Sequence, residues 1–434
     1  MPTTRSSANR VMSPALSKST LRNVFAGLGL RSIALGGRFV FAIFATKYML
    51  PDDFGRFGLL AGLALIIPTL VGLEAYQVLL RRIMQEQGAT HVRRFYATFV
   101  LAGSLVTGLI GGLTLVGFRW SATEVALGVV VLMLEHLGLE TVRFLVVDQR
   151  PALSVLSVAM RTGAWGVAVP ALYFLHVIHA PWSFETVLCA WILGGIAAVL
   201  AGAPVWPRFR PYGRDINIRV GYGMVKEVAS RSRNWIVFTG SLRVIETGGR
   251  FVSAWMISEA AAGRFTFLSM LASLNYIAHK GVVEPIYYPR LTAREVSHET
   301  QREFLRLTLA VIAGATVCSV LGLAFSVWIN GVGLPASEMV SFALLCLAFG
   351  CLCLTQPAHY RLYRFHQDRA IMLTGLAACI AMVVSSVVAT KLFAMPGAAA
   401  GVLIGALVLL VSKNRAAKNL APSQLENTKP ENTP

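Results

Sequence analysis

The chain has little charge, and negative charge is scarcest: of 434 residues 14% are charged, with 21 Asp or Glu against 39 Lys or Arg. So few charges cannot clothe a soluble domain of this size. With 55% hydrophobic residues and a mean hydropathy of +0.63, the composition is that of a polytopic membrane protein. Signatures of chemistry are missing too. No GxxxxGK[ST] loop is present, so the chain does not itself burn ATP, and no HExxH or paired CxxC pattern offers a metal site. The six cysteines, Cys189, Cys318, Cys346, Cys351, Cys353 and Cys379, all fall inside apolar runs, where they read as packing residues rather than a disulfide framework. No long polar segment exists in which a catalytic domain such as a glycosyltransferase could fold, so the chain reads as a non-enzyme. Its polar start, MPTTRSSANRVMSPALSKST, has neither an apolar h-region nor a small-residue cleavage site, and no cleaved signal peptide is expected.

What the chain does have is long apolar runs. Twelve stretches of about 18 to 26 residues approach the ~20 needed to cross hydrocarbon. They lie near 24–48, 56–80, 94–117, 122–147, 152–177, 183–204, 235–257, 262–286, 304–329, 336–356, 369–391 and 395–413. Lys and Arg collect in the even-numbered connections and at both ends: Arg81, Arg82, Arg93 and Arg94 in one, Arg208, Arg210, Arg214, Arg219 and Lys226 in another. Odd-numbered connections carry few. Basic loops resist translocation, so both termini are expected in the cytoplasm. The formal net charge of +18, which in a soluble chain would point to nucleic acid, is here that loop bias together with contact to anionic lipid headgroups. Membrane lipids are expected partners and nucleic acid is not.

The sequence also repeats itself. Leu30, Arg31, Gly36, Gly37, Arg38, Phe39, Val40 and Ala42 match Leu242, Arg243, Gly248, Gly249, Arg250, Phe251, Val252 and Ala254, and Gly55-Arg56-Phe57 matches Gly263-Arg264-Phe265. An even number of spans per copy gives both copies the same orientation, as parallel repeats about an axis along the membrane normal with the pathway between them. The expected organisation is a cytoplasmic N-terminal tail (1–23), a first lobe of six spans (24–204), a cytoplasmic connection (205–234), a second lobe of six spans (235–413) and a disordered cytoplasmic tail (414–434). The connection mixes basic and apolar residues and reads either as a solvated linker or, in part, as an amphipathic helix on the inner leaflet.

Each copy buries arginines, and charges inside a bilayer are seldom kept without a use. At about 1.5 Å per residue, Arg38 falls near the midplane with Arg31 about 10 Å nearer the cytoplasm on almost the same face. Arg243 and Arg250 repeat that spacing, with Glu246 placed to neutralise either one. Glu74 falls at the depth of Arg31 and a pair is expected there. Span 4 carries Glu135, His136, Glu140 and Arg143, and span 5 carries Arg161. Tyr276, His279, Lys280 and Glu284 approach the inner surface, with Pro285 ending or kinking their helix. Together these outline a cavity, basic on balance, suited to an anion loaded from the cytoplasmic side. Arg31, Arg38, Arg161, Arg243 and Arg250 are the candidate substrate-binding residues. Glu74, Glu135, His136, Glu140, Arg143 and Glu246 are candidates for charge pairing or ion coupling; His136 is either a proton site or a hydrogen-bonded structural histidine. Structural ion pairing competes with a substrate role at Arg31–Glu74, Glu140–Arg143 and Arg243–Glu246. The Gly36-Gly37 and Gly248-Gly249 pairs admit close helix contact or a bend.

The first helix and the turn after it, LRNVFAGLGLRSIALGGRFVFAIFATKYMLPDDFGRFGLL, resemble the polysaccharide transporter family, flippases for O-antigen and exopolysaccharide units within the multidrug/oligosaccharidyl-lipid/polysaccharide (MOP) superfamily. The resemblance spans the chain in topology but is carried by motif only in the first two spans and their repeat. It implies an all-α fold of about twelve spans in two six-helix lobes around a V-shaped cavity. It also implies movement of undecaprenyl-diphosphate-linked oligosaccharide across a bacterial cytoplasmic membrane by alternating access. A proton or sodium gradient would drive it without a cofactor, and polysaccharide polymerase and chain-length proteins would be partners. By position, Arg38 and Arg250 would be the central cations, with Arg31 and Arg243 nearer the entrance. The rival reading is a drug/cation antiporter of the MATE branch, which would want carboxylates where this chain has arginines.

Overall fold

The computed structural model describes residues 36–85, 90–209, 218–291 and 297–420. Arg31, about the first half of span 1, the whole N-terminal tail and most of the C-terminal tail lie outside them. All regular structure among the described residues is helical. The one β-bridge among the described residues pairs Met49 with Trp182.

The first repeat comprises α1 (36–48), α2 (Pro51–Val71), α3 (Ala75–Gln85), α4 (Thr90–Gly117) and α5 (Ala122–Val147). It continues as α6 (Pro151–Ala159), which runs through a π turn (Met160–Ala164) into α7 (Trp165–Phe174), and ends with α8 (Phe184–Leu200). The second comprises α9 (Ile218–Met256) and α10 (Glu259–Ala272), then α11 (Leu274–Ala278), joined by a second π turn (His279–Val283) to α12 (Glu284–Leu291). It closes with α13 (His298–Asn330), α14 (Ala336–Leu354), α15 (Gln356–Arg364), α16 (Asp368–Phe393) and α17 (Met395–Lys418).

Eight of these segments are long and apolar enough to cross a membrane by length and composition. Four further helical stretches complete the pattern of twelve. α1 is described only from residue 36, and α8 is 17 residues long. α9 interrupts its apolar part with Arg243, Glu246 and Arg250, and α10–α12 is broken at Ser273.

Local chemistry explains the boundaries. Pro51 opens α2 with Asp52 and Asp53 in its first turn, where a missing N–H costs nothing and the helix dipole favours anions. Ser121 and Glu124 form a reciprocal capping box at α5, and Ser183, Ser258 and Ser297 cap α8, α10 and α13.

Several expected boundaries move. Span 2 is not continuous over 56–80: after Pro68 and Gly72 the chain takes left-handed φ values of 48° and 49° at Leu73 and Glu74 before α3 resumes. Pro68 weakens the ladder and Gly72 admits the turn. The connection assigned to 205–234 is helical from Ile218 onward, continuous with the seventh span. With no proline between 218 and 256, nothing stops the helix, and its 39 residues reach about 58 Å, well beyond a ~30 Å hydrocarbon core. α17 runs five residues past the expected end at 413, to Lys418.

The repeats meet along α2, α9 and α10. A β-carbon on Gly55 would fall 2.0 Å from the Glu259 carbonyl oxygen, and one on Gly263 would fall 2.9 Å from the Gly55 nitrogen. The two copies of the Gly-Arg-Phe phrase therefore pack backbone to backbone. Arg56 ties the same end together, donating from Nε to Glu259 at 3.1 Å across the repeats and from Nη1 to Glu124 at 2.5 Å within its own. Its counterpart Arg264 pairs with Glu338 at 3.0 Å, so each repeat joins this arginine to a glutamate in the first turn of its fourth span.

Candidate functional site

Behind that closed end the repeats part around a cavity of about 330 Å³. It is lined by Arg38 from α1, Arg243, Glu246 and Arg250 from α9, Tyr276 from α11 and Lys280 from the second π turn. Four cations face one carboxylate, leaving three net positive charges. Much of the remaining lining is aromatic: Phe39, Phe57, Trp165, Trp191 and Phe349, with Trp165 and Trp191 stacked at 5.2 Å. Arg243, Tyr276 and Lys280 also line a second cavity of similar size. This one lies toward the end that carries Glu74, Arg143, Glu284, His359 and Lys413. Arg243, Tyr276 and Lys280 are thus the wall that the two cavities share.

The first π turn sets Arg38. A π turn shifts the backbone ladder by one residue and leaves carbonyls to accept side chains; here Arg161 O accepts Trp165 Nε1 at 3.1 Å, and Thr162 O accepts Arg38 Nε at 2.8 Å. α1 reaches this turn because Gly37 sits against Gly163, where a β-carbon would lie 2.1 Å from its carbonyl oxygen. The duplicated Gly249 is used differently, its missing side chain accommodating the ring of Phe265. Close contact is thus what these glycines provide.

Arg250 is 7% exposed and donates from Nη1 to the Gly58 carbonyl in the opposite repeat at 3.4 Å, a long bond. Its Nε is buried without a partner. Neither Arg38 nor Arg250 enters an ion pair among the described residues. Each therefore keeps guanidinium N–H groups for an anion, which the planar fork holds in bidentate fashion.

The other candidates divide. Arg243 is paired with Glu246 at 2.6 Å and lines both cavities. Glu140 accepts from both Arg143 and Tyr96, while the Arg143 guanidinium lies 3.8 Å from the Tyr76 ring centre and faces the second cavity. Glu74 is buried in the α2–α3 break and lines the same cavity; its expected partner Arg31 is outside the described residues. Arg161, expected to bind substrate, lines neither cavity. It is held 3.3 Å from Glu135, which also accepts Trp191 Nε1 at 2.8 Å. That pair sits behind the aromatic wall, because the π turn rotates Thr162 rather than Arg161 toward the cavity. His136 is fully buried against Gly103 of α4 and also lines neither cavity. His279 turns away as well, its Nε2 lying 3.2 Å from Thr308 Oγ1.

Sequence reading missed His359 and Lys413. Lys413 closes an apolar run, where a lysine reads as snorkelling to headgroups. The structure instead buries it to 1% exposure.

Among the described residues the chain is thus all-helical, with two repeats around a central cationic cavity and eight helices long and apolar enough to cross a membrane. No protein-family model matches the chain, and no curated protein does. Solved structures do, and the neighbours are MOP-superfamily transporters. An inward-facing multidrug resistance MATE family transporter matches at 12% identity and TM-score 0.61, over 93% of this chain and 99% of that one. The lipid II flippase MurJ in an inward closed conformation matches at 11% and 0.62, over 93% and 89%. A Vibrio cholerae MATE transporter matches at 11% and 0.53, over 93% and 98%. At such identities the likeness is one of fold.

Proposed function

We propose that the chain is a flippase moving undecaprenyl-diphosphate-linked oligosaccharide units from the inner to the outer leaflet of a bacterial cytoplasmic membrane for O-antigen or exopolysaccharide synthesis. One observation carries the reading: Arg38 and Arg250, one from each repeat, line a single cavity without carboxylate partners. The diphosphate is the part of such a substrate that hydrocarbon most resists, and two forks from opposite lobes suit it. A cavity of about 330 Å³ is at the small end of ligand sites, enough for the charged headgroup. The second cavity is left for the glycan, and the aromatic wall gives sugar faces an apolar surface. Alternating access would exchange the Gly55–Gly263 closure for an opening at that end. Polymerase and chain-length proteins would take the product.

The test is binding of a polyprenyl diphosphate to the purified protein in nanodiscs, paired with surface polysaccharide in cells. Arg38→Ala and Arg250→Ala should each weaken binding by roughly 10- to 100-fold, the ~1.5–3 kcal/mol of charge-assisted hydrogen bonds, and should abolish surface polysaccharide while the protein still inserts. Unchanged binding in both variants would remove the site.

The fold also accommodates a MATE-like cation antiporter, and several MATE transporter structures are among the neighbours. The cavity's three net positive charges oppose that reading. Efflux of a cationic dye that survives Arg38→Ala and Arg250→Ala would favour it.

A further inference from the structure

We propose that Lys413 and His359 form a proton-binding site in the second repeat, one that couples the conformation of α17 and α15 to an ion gradient. The proposal rests on the transport reading above, which needs an energy source but does not say where a proton would bind. Arginines do not release theirs, and Glu135, Glu140 and Glu246 are each committed to an arginine.

Lys413 Nζ lies 3.2 Å from His359 Nδ1, and 4.3 Å from the centre of the Phe238 ring. Phe238 in turn stacks on the His359 imidazole at 5.2 Å, and Trp235 meets that imidazole edge-on at 6.1 Å. No described carboxylate pairs with Lys413. Around it, the groups facing the same cavity are Glu74 from the α2–α3 break, Arg143 from α5, Arg243 from α9, and Lys280 and Glu284 from the second π turn and α12. The phenols of Tyr76, Tyr276, Tyr288 and Tyr360 face it too.

A hydrogen bond between two basic nitrogens limits its own proton count. One must donate and the other accept, so one nitrogen keeps a lone pair and the bonded pair holds at most one excess proton, in which case the ammonium donates to the imidazole. A second proton turns both nitrogens into donors. The bond is then lost and two positive charges face each other in a buried site, which pushes α17 from α15. Gaining a proton from one side of the membrane and losing it to the other would drive that movement cyclically.

Trp235 supplies the readout, because an imidazolium quenches a neighbouring indole. The full chain in nanodiscs is titrated with pH by intrinsic fluorescence, alongside Trp235→Phe, His359→Gln and Lys413→Met. Expected is a reversible titrating component that Trp235→Phe and His359→Gln both lack, and whose midpoint rises in Lys413→Met because no neighbouring cation then opposes the imidazolium. Wild type and His359→Gln titrating alike, or an unmoved midpoint in Lys413→Met, would overturn the site. In proteoliposomes, the ratio of substrate flux with and without a pH gradient should fall to about one in His359→Gln; an unchanged ratio overturns the coupling role. Failure of the wild type to bind polyprenyl diphosphate would instead remove the flippase reading, while the fluorescence titration still decides the proton site.

Discussion

Gly55 and Gly263, the same position in two copies of one phrase, lie against each other so closely that a β-carbon on Gly263 would stand 2.9 Å from the Gly55 nitrogen. A duplicated glycine thus becomes the seam between the repeats. Gly55→Leu should force α2 and α10 apart, lowering the melting temperature in detergent and raising the reactivity of a cysteine placed at Glu259. An unaltered melting curve and unaltered labelling would show that the seam is not closed in the bilayer.

Arg56 and Arg264 occupy equivalent places but different surroundings. Arg56 holds two glutamates, one across the repeats, with its side chain about one-third exposed; Arg264 holds one and is 60% exposed. Glu338, like Glu124, is buried, but the guanidinium of Arg264 stands largely in the open, where solvent screens the pair, so Arg264→Ala should move the melting temperature only modestly. Arg56→Ala, which strands the buried Glu124, should move it clearly more. Equal shifts would contradict this.

Replacing Arg38 or Arg250 with Lys keeps the charge and loses the fork. Binding of a polyprenyl diphosphate should fall to between the wild type and the alanine variant. Wild-type affinity in the lysine variants would mean that the cavity acts by charge alone.

Glu246 is the single carboxylate in the central cavity and offsets Arg243. Glu246→Gln should tighten diphosphate binding several-fold and steepen its decline with salt. Weaker binding would show that Glu246 acts mainly by positioning Arg243.

Arg161→Ala should destabilise the fold without changing diphosphate affinity in the fraction that folds, because it leaves Glu135 buried with only Trp191 to donate. Breaking one partner of a buried pair costs about 3–5 kcal/mol. A loss of affinity with intact stability would return Arg161 to the binding residues.

The extent to which the site could be read in advance follows from these particulars. Arg38 and Arg250 stood out because a charge in an apolar run is expensive and each was repeated. Arg161 looked equivalent by the same criterion, but which way a side chain points from a π turn depends on where the ladder slips, and that is a matter of packing against α1 and α8. Lys413 looked peripheral because nothing in its own helix showed that His359 and Phe238, 54 and 175 positions away, would enclose it.

The sequence by itself determined that the chain crosses a membrane many times, that its halves are copies, and that arginines lie at matching depths. Hydropathy, duplication and helical rise are properties of neighbours along the chain, so no tertiary structure is needed to read them. Only the tertiary structure decided which arginines are left without carboxylates, which end of the molecule is sealed by glycine contact, and that Lys413 and His359 meet within hydrogen-bond distance in the second repeat. Each of these depends on residues far apart in sequence meeting at distances of a few ångströms, where sterics and desolvation act.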